Sequence, residues 1–201
     1  MGNTDKFDRI AGQYDSPQRI HIANISADAI REYAADAAKK RAIDFGCGTG
    51  LVGMKLLGSF ESVLFLDSSP NMIEQVRRKL ADEGIENADT LCFDVETDDR
   101  PELRADYMFM AQVLLHIPDV EGVLSKLYET MHPGGRMIIV DFNRNEEIDS
   151  DLVHPGFDQA ALRGLMAKIG YEQIRSKTIY RGSNLFMGRD ASMFVLDARK
   201  E

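Results

Sequence analysis

Apolar positions along the chain fall into two alternating kinds of block. Ser62-Val63-Leu64-Phe65-Leu66-Asp67 is apolar almost throughout, as expected of a strand buried on both faces. Similar short runs at 42–45, 90–95, 106–111 and 136–142 predict four more strands. Between them, apolar residues recur three and four apart. Met72, Ile73, Val76 and Leu80 predict a helix over 70–83, with Pro70 in its first turn and Gly84 as its stop. Val120, Val123, Leu124, Leu127 and Met131 predict another, closed by the breaker His132-Pro133-Gly134-Gly135. A short helix is expected over 51–57. Ile22, Ile25, Ala29, Ile30 and Tyr33 make the first 40 or so residues helical.

The last third differs. Leu162, Leu165, Met166 and Ile169 form a helical stripe ended by Gly170, and two strand-like segments follow near 172–181 and 192–199 with no helix between them. Consecutive strands joined by a loop pair antiparallel, because a parallel pair needs a long crossover. The expected fold is therefore α/β and doubly wound, with a mainly parallel sheet and one antiparallel edge strand. No linker, repeat or low-complexity stretch interrupts residues 1–201, so one domain is expected, with 1–40 as a helical lid or cap.

A chain of 201 residues is long enough for one full core, and 44% hydrophobic with 28% charged residues is the composition of a globular protein. The net charge of -9 opposes a general affinity for nucleic acid or an anionic membrane, which need a basic face. Cys47 and Cys92 fall in predicted core elements and read as free thiols of a reducing compartment. Residues 1–6 have no apolar leader region, and no run approaches the ~18 apolar residues that span a bilayer. A cytoplasmic protein is the expectation.

The chemistry concentrates in Ala42-Ile43-Asp44-Phe45-Gly46-Cys47-Gly48-Thr49-Gly50-Leu51-Val52-Gly53. Glycines at a strand end permit positive φ and let a ligand approach the main chain. Gly48-Thr49-Gly50-Leu51-Val52-Gly53 satisfies the dinucleotide fingerprint G-x-G-x-x-G, which places a pyrophosphate at a helix N-terminus. Two features oppose that reading: Gly46 already occupies the strand end, and Asp44 would repel an anion. The alternative pattern, (D/E)-x-G-x-G-x-G, suits a cationic ligand without phosphate, such as S-adenosylmethionine.

Four pieces occur in order: Asp44-Phe45-Gly46-Cys47-Gly48-Thr49-Gly50, Asp67 closing the second strand, Phe93-Asp94-Val95, and the stretch 106–119 running into Pro133-Gly134-Gly135. With these spacings the chain resembles a class I S-adenosylmethionine-dependent methyltransferase of the small-molecule type, from about Phe7 to its end. The resemblance implies a Rossmann-like sheet of seven strands with the seventh antiparallel. It also implies methyl transfer from S-adenosylmethionine to a small-molecule acceptor, releasing S-adenosylhomocysteine. The implied cofactor site comprises Asp44, Gly46, Cys47, Gly48 and Gly50 of the loop, and Asp67 for the ribose hydroxyls with Ser68 and Met72 beside the adenosine. Asp94 and Val95 would face the adenine, and Met110, Ala111 and Gln112 the methionine moiety. Tyr14, in Phe7-Asp8-Arg9-Ile10-Ala11-Gly12-Gln13-Tyr14-Asp15, is a lid candidate. Asp106, at the start of its strand, reads as structural.

Methyl transfer from a sulfonium is an in-line displacement, so positioning and water exclusion matter more than acid–base groups. His116 and His154 are the candidates for a catalytic or substrate-orienting role; for His116, capping or loop-holding is the competing reading. Phe142 and segment 151–157 are expected near the substrate. No metal site is expected from Glu146, Glu147, Asp149 and Asp151, because the supporting histidine spacing is missing. Two rivals stay open. One is a cofactor-binding regulatory protein without turnover; the other is an NAD(P)-dependent oxidoreductase.

Overall fold

The computed structural model describes residues 4–95 and 103–201. Helix α1 (Thr4–Ile10), a 3-10 turn at Ala11–Gln13 and α2 (Pro17–Arg31) precede β1 (Arg41–Phe45). Then come β2 (Ser62–Asp67), α3 (Pro70–Asp82), β3 (Ala88–Cys92), β4 (Ala105–Ala111), α4 (Val120–Thr130) and β5 (Met131–Phe142). The chain ends with α5 (Gln159–Ile169), β6 (Tyr171–Phe186) and β7 (Arg189–Lys200). One seven-stranded sheet has the order β3-β2-β1-β4-β5-β7-β6. Strands β1 to β5 pair in parallel, and β7 runs antiparallel to both β5 and β6. The doubly wound, mainly parallel seven-stranded sheet with one antiparallel strand agrees with the expectation; the reversed strand β7 lies between β5 and the edge strand β6.

Period-two alternation divides the core between the faces of the sheet. Ala42, Phe65, Phe109, Val140 and Val195 pack on one side with Ala27 and Ile30 of α2 and Val76 of α3. Ile43, Met108, Ile139 and Phe194 pack on the other with Leu124 of α4 and Met166 of α5. The helix signals read from the sequence are realised in detail: Ser69 caps α3 by accepting from the Met72 amide, and Gly170 ends α5 with φ 119°.

Four local expectations are corrected. The stretch after the glycine loop is not an α-helix but two 3-10 turns, Gly53–Lys55 and Leu57–Ser59. There the Gly53 amide donates to the Asp44 carboxylate at 3.1 Å, while the Thr49 carbonyl, which an α-helix would use, accepts from Lys79 at 2.7 Å. The breaker His132-Pro133-Gly134-Gly135 does not leave the sheet; it forms an irregularity inside β5 between the pairs Ala105↔Met131 and Tyr107↔Arg136. Strand β3 ends at Cys92, earlier than expected, which frees Phe93-Asp94-Val95 to form a loop. The final hairpin is longer than its apolar pattern, because Met187-Gly188 alone makes the turn, with both φ positive at 51° and 76°. The acidic stretch 96–102 lies outside the described residues.

Candidate functional site

A cavity opens at the carboxyl ends of β1, β2 and β4, roofed by the N-terminal segment. In open α/β sheets this is where ligands bind. The floor is the glycine loop. Gly46 has φ 66°, and a Cβ there would lie 2.7 Å from Val113, so β1 and the loop after β4 meet only because this residue lacks a side chain. Gly48, also with positive φ, donates its amide to Asp67 Oδ2 at 2.8 Å. Asp67 Oδ1 accepts from the Ser69 amide at 2.8 Å. Backbone amides thus orient both carboxylate oxygens at the cavity, where they can accept from ligand hydroxyls. Burial pushes the Asp67 carboxyl above its ordinary range, against the opposing backbone hydrogen bonds. Asp94 stands nearby on the freed loop after β3.

The roof is latched to the floor by two carboxylates. Asp8 Oδ1 accepts from Ser69 Oγ at 2.8 Å and from the Asn71 amide at 3.0 Å, at the N-terminus of α3. Asp15 accepts from Thr49 Oγ1 and pairs with Lys79 Nζ at 2.7 Å. These contacts hold Tyr14 and Phe7 over the cavity. The Arg19 guanidinium lies 4.0 Å from the Tyr14 ring centroid, and its Nη1 donates to the Tyr14 carbonyl at 2.9 Å. Most of its five N–H donors remain for a ligand carboxylate. Phe7 meets the His116 ring edge-on at 4.9 Å.

The donor set suits a nucleoside that ends in an amino acid. Asp67 offers acceptors for a diol, Asp94 an acceptor for an exocyclic amine, and Arg19 donors for a carboxylate. The set does not suit a pyrophosphate: the glycine turn leads into 3-10 turns, so no α-helix dipole faces the loop, and two carboxylates surround it.

Residues 43–137 match the family model described as a methyltransferase domain. Aklanonic acid methyltransferase DauC of Streptomyces sp. (strain C5) is 25% identical over 138 residues, 67% of this chain and 59% of that protein. Among solved structures, the N-methyltransferase NodS of Bradyrhizobium japonicum WM9, in complex with S-adenosyl-L-homocysteine, superposes with TM-score 0.76. That match covers 100% of this chain and 99% of NodS at 13% identity. The chain is similar to methyltransferases over residues 43–137 and has the Rossmann-like fold of the solved ones. The [4+2]-cyclase SpnF shares the fold as well (TM-score 0.70, 14% identity, 86% of this chain and 81% of that one). The chain spans between 38% and 61% of the length of the curated relatives it matches.

In this methyltransferase fold, most of the residues singled out in the sequence converge on the cavity. Tyr14, Gly46, Cys47, Gly48, Asp67 and Ser68 line it, as do Met72, Asp94, Val95, Ala111, Gln112 and His116. Asp44, Gly50 and Met110 do not. Asp44 lies buried below the loop, outside the cavity lining. Its carboxylate holds Gly53, and complete burial pushes its pKa up to about 8. Gly50 packs under the loop against Val76 and Phe65, and Met110 is fully buried in the opposite core.

His154 is a brace rather than a cavity residue: its amide donates to the Leu115 carbonyl and its Nε2 to the Ile117 carbonyl, both at 2.8 Å. Phe142 is buried and stacked on Phe186 at 4.4 Å, and neither Phe142 nor Phe157 reaches the cavity. Asp106 accepts from the Arg41 amide at 3.0 Å, at the far end of the sheet. Glu146 and Glu147 pair with Arg144 and Arg189. No group of side chains suited to a metal ion occurs among the described residues. Phe7, Arg19, Val113 and Ile117 line the cavity without having been singled out. Arg19 carried no signal because an arginine on an amphipathic helix reads as solvated surface.

Proposed function

We propose that this protein transfers the methyl group of S-adenosylmethionine to a small-molecule acceptor. The observation that carries the reading is the Asp67 carboxylate, held by the Gly48 and Ser69 amides at the tip of β2 and lining the cavity. The relatives are consistent with it, since DauC and NodS are both named methyltransferases. When bound, the cofactor supplies an electrophilic methyl on a good leaving group. Asp67 would take the ribose hydroxyls, Asp94 and Val95 the adenine, and Arg19 the carboxylate. Gly46 and Gly48 let the backbone close on the ligand. Tyr14 and Phe7 exclude water, which lets a positioned acceptor compete with solvent. His116 faces the acceptor side and orients it.

In this reading residues 1–201 act as one domain and 1–40 as its lid, latched through Asp8 and Asp15. The setting is the cytoplasm, in keeping with two free cysteines and with the lack, among the described residues, of a helix long and apolar enough to cross a membrane. The acceptor is a small molecule, neither nucleic acid nor membrane. The alternative is a cofactor-binding regulatory protein without turnover; the cyclase that shares the fold is named for a reaction other than methyl transfer, so the fold alone does not decide between them.

Calorimetric titration with S-adenosylmethionine, S-adenosylhomocysteine and NADH tests the reading, on the native protein and on Asp67→Ala. Expected is micromolar binding of the first two, at least tenfold weaker in the variant because a charged hydrogen-bond acceptor is lost, and none of NADH. Failure to bind either sulfur ligand overturns the proposal. Binding with no methylated product across an acceptor panel moves the protein to the alternative.

A further inference from the structure

Gln112 combines two features that folded chains avoid. Its φ is 58°, a left-handed conformation uncommon for residues other than glycine, asparagine and aspartate. Its Nε2 is shut off from solvent without a hydrogen-bond partner, and leaving a buried donor unmade is unfavourable. Such strain persists only where the surroundings over-determine it, and it concentrates at ligand sites.

The surroundings do over-determine it. The Gln112 amide donates to the Val140 carbonyl at 2.8 Å, which holds the backbone against β5. The turn that follows, Leu114–His116, is gripped from two sides. From β5, the fully buried Asp141 accepts from the Leu115 amide at 3.3 Å and from the Phe142 amide at 2.8 Å. From the loop after β5, His154 holds the carbonyls of Leu115 and Ile117. Four contacts therefore fix the segment 112–117, and none of them satisfies the Gln112 side chain.

Gln112 lines the same cavity as Gly46, Asp67, Phe7 and His116. Rotation about its side-chain bonds toward that space is the route by which the amide gains a partner. The resemblance placed Gln112 at the methionine moiety, but Arg19 already serves that moiety's carboxylate and its ammonium cannot accept from an N–H donor, so the orphan Gln112 Nε2 is left for the second substrate.

We propose that Gln112 is a specificity-determining residue that donates a side-chain hydrogen bond to an oxygen of the methyl acceptor. This rests on the methyltransferase reading and names the acceptor class: a small, oxygen-bearing molecule whose body lies against Phe7 and His116, with 4-hydroxybenzoate as a minimal probe. Asp141 and His154 are positioning residues that hold Gln112 and His116 in register.

The test uses the full chain saturated with S-adenosylhomocysteine. The side-chain NH2 signals of Gln112 are assigned by their loss in Gln112→Leu, and 4-hydroxybenzoate is then titrated in, with Gln112→Glu as a second variant. Expected is that S-adenosylhomocysteine alone leaves these signals in place and binds both variants within about twofold of the native protein. The probe moves the signals and binds Gln112→Leu about three- to tenfold more weakly, the range for one neutral hydrogen bond. In Gln112→Glu the carboxylate repels the probe at least as strongly. Equal probe affinity in the native protein and Gln112→Leu, or no probe binding at millimolar concentration, overturns the proposal while leaving cofactor binding intact. A tenfold loss of S-adenosylhomocysteine affinity in Gln112→Leu also overturns it and assigns Gln112 to the cofactor. If S-adenosylhomocysteine fails to bind the native protein, the methyltransferase reading itself falls.

Discussion

Replacing Asp44 by asparagine removes a titration buried under the glycine loop, and its effect on stability can be worked through from the structure. Burial raises the Asp44 carboxyl from 3.8 to about 8, and the Gly53 hydrogen bond only partly opposes the rise. Between those values the folded chain keeps the proton and the unfolded chain has released it. Folding then binds a proton, so stability is greatest at low pH and falls as pH rises toward 8. The slope is about 1.4 kcal/mol per pH unit. Over two units, from pH 5 to pH 7, this is about 3 kcal/mol, or roughly 5–10 °C in Tm for a chain of this length. Asp141, buried and raised to about 7, adds a term of the same sign.

The side chain introduced by Asp44→Asn cannot ionise, so the variant loses the Asp44 term and keeps the Asp141 term. Its new NH2 group adds a constant penalty of roughly 1–3 kcal/mol if unpartnered. That shifts its whole stability curve but not the slope. Denaturant unfolding of both proteins at pH 5, 6, 7 and 8 measures the difference directly. The native protein should lose about 1.4 kcal/mol more per pH unit than the variant between pH 5 and 7. Parallel curves would refute the reasoning, because the carboxylate would then be ionised in the folded protein despite its burial.

Three further outcomes are expected. Gly53→Ala places a Cβ 2.4 Å from both Asp44 Oδ2 and Phe65 Cε1; overpacking of this kind costs about 1–3 kcal/mol, and a Tm within 1 °C of the native protein would contradict it. Cys92 is exposed, whereas burial pushes the Cys47 thiol well up, so a disulfide-exchange reagent at neutral pH should titrate one fast thiol. Two fast equivalents would mean that the glycine loop opens readily, and prior addition of S-adenosylhomocysteine should leave the Cys92 reaction unchanged. Arg19→Ala should weaken S-adenosylhomocysteine by about ten- to a hundredfold and 5′-methylthioadenosine, which lacks the carboxylate, by less than threefold. Equal losses for both ligands would show that Arg19 acts through Tyr14 instead.

Element order, the mainly parallel sheet and half of the residues lining the cavity were legible along the chain. Strands buried on both faces, helices with one apolar stripe and glycines at turns are local necessities, each written into a few adjacent residues. Asp67 was legible for the same reason, since it closes a strand whose end must face the ligand side. Tertiary structure decided what depends on residues far apart in the chain. Asp44 looked like a ligand contact until the pairing of β1 showed it facing Gly53, and the expected helix after the loop gave way because Asp44 and Lys79 took the hydrogen bonds it needed. His154 became a brace once the chain after β5 returned to the Leu114–His116 turn. Arg19 entered the cavity only because Asp8 and Asp15 latch the N-terminal segment to α3 and the glycine loop. Such roles follow from directions in space, and the spacing of residues along one chain does not carry them.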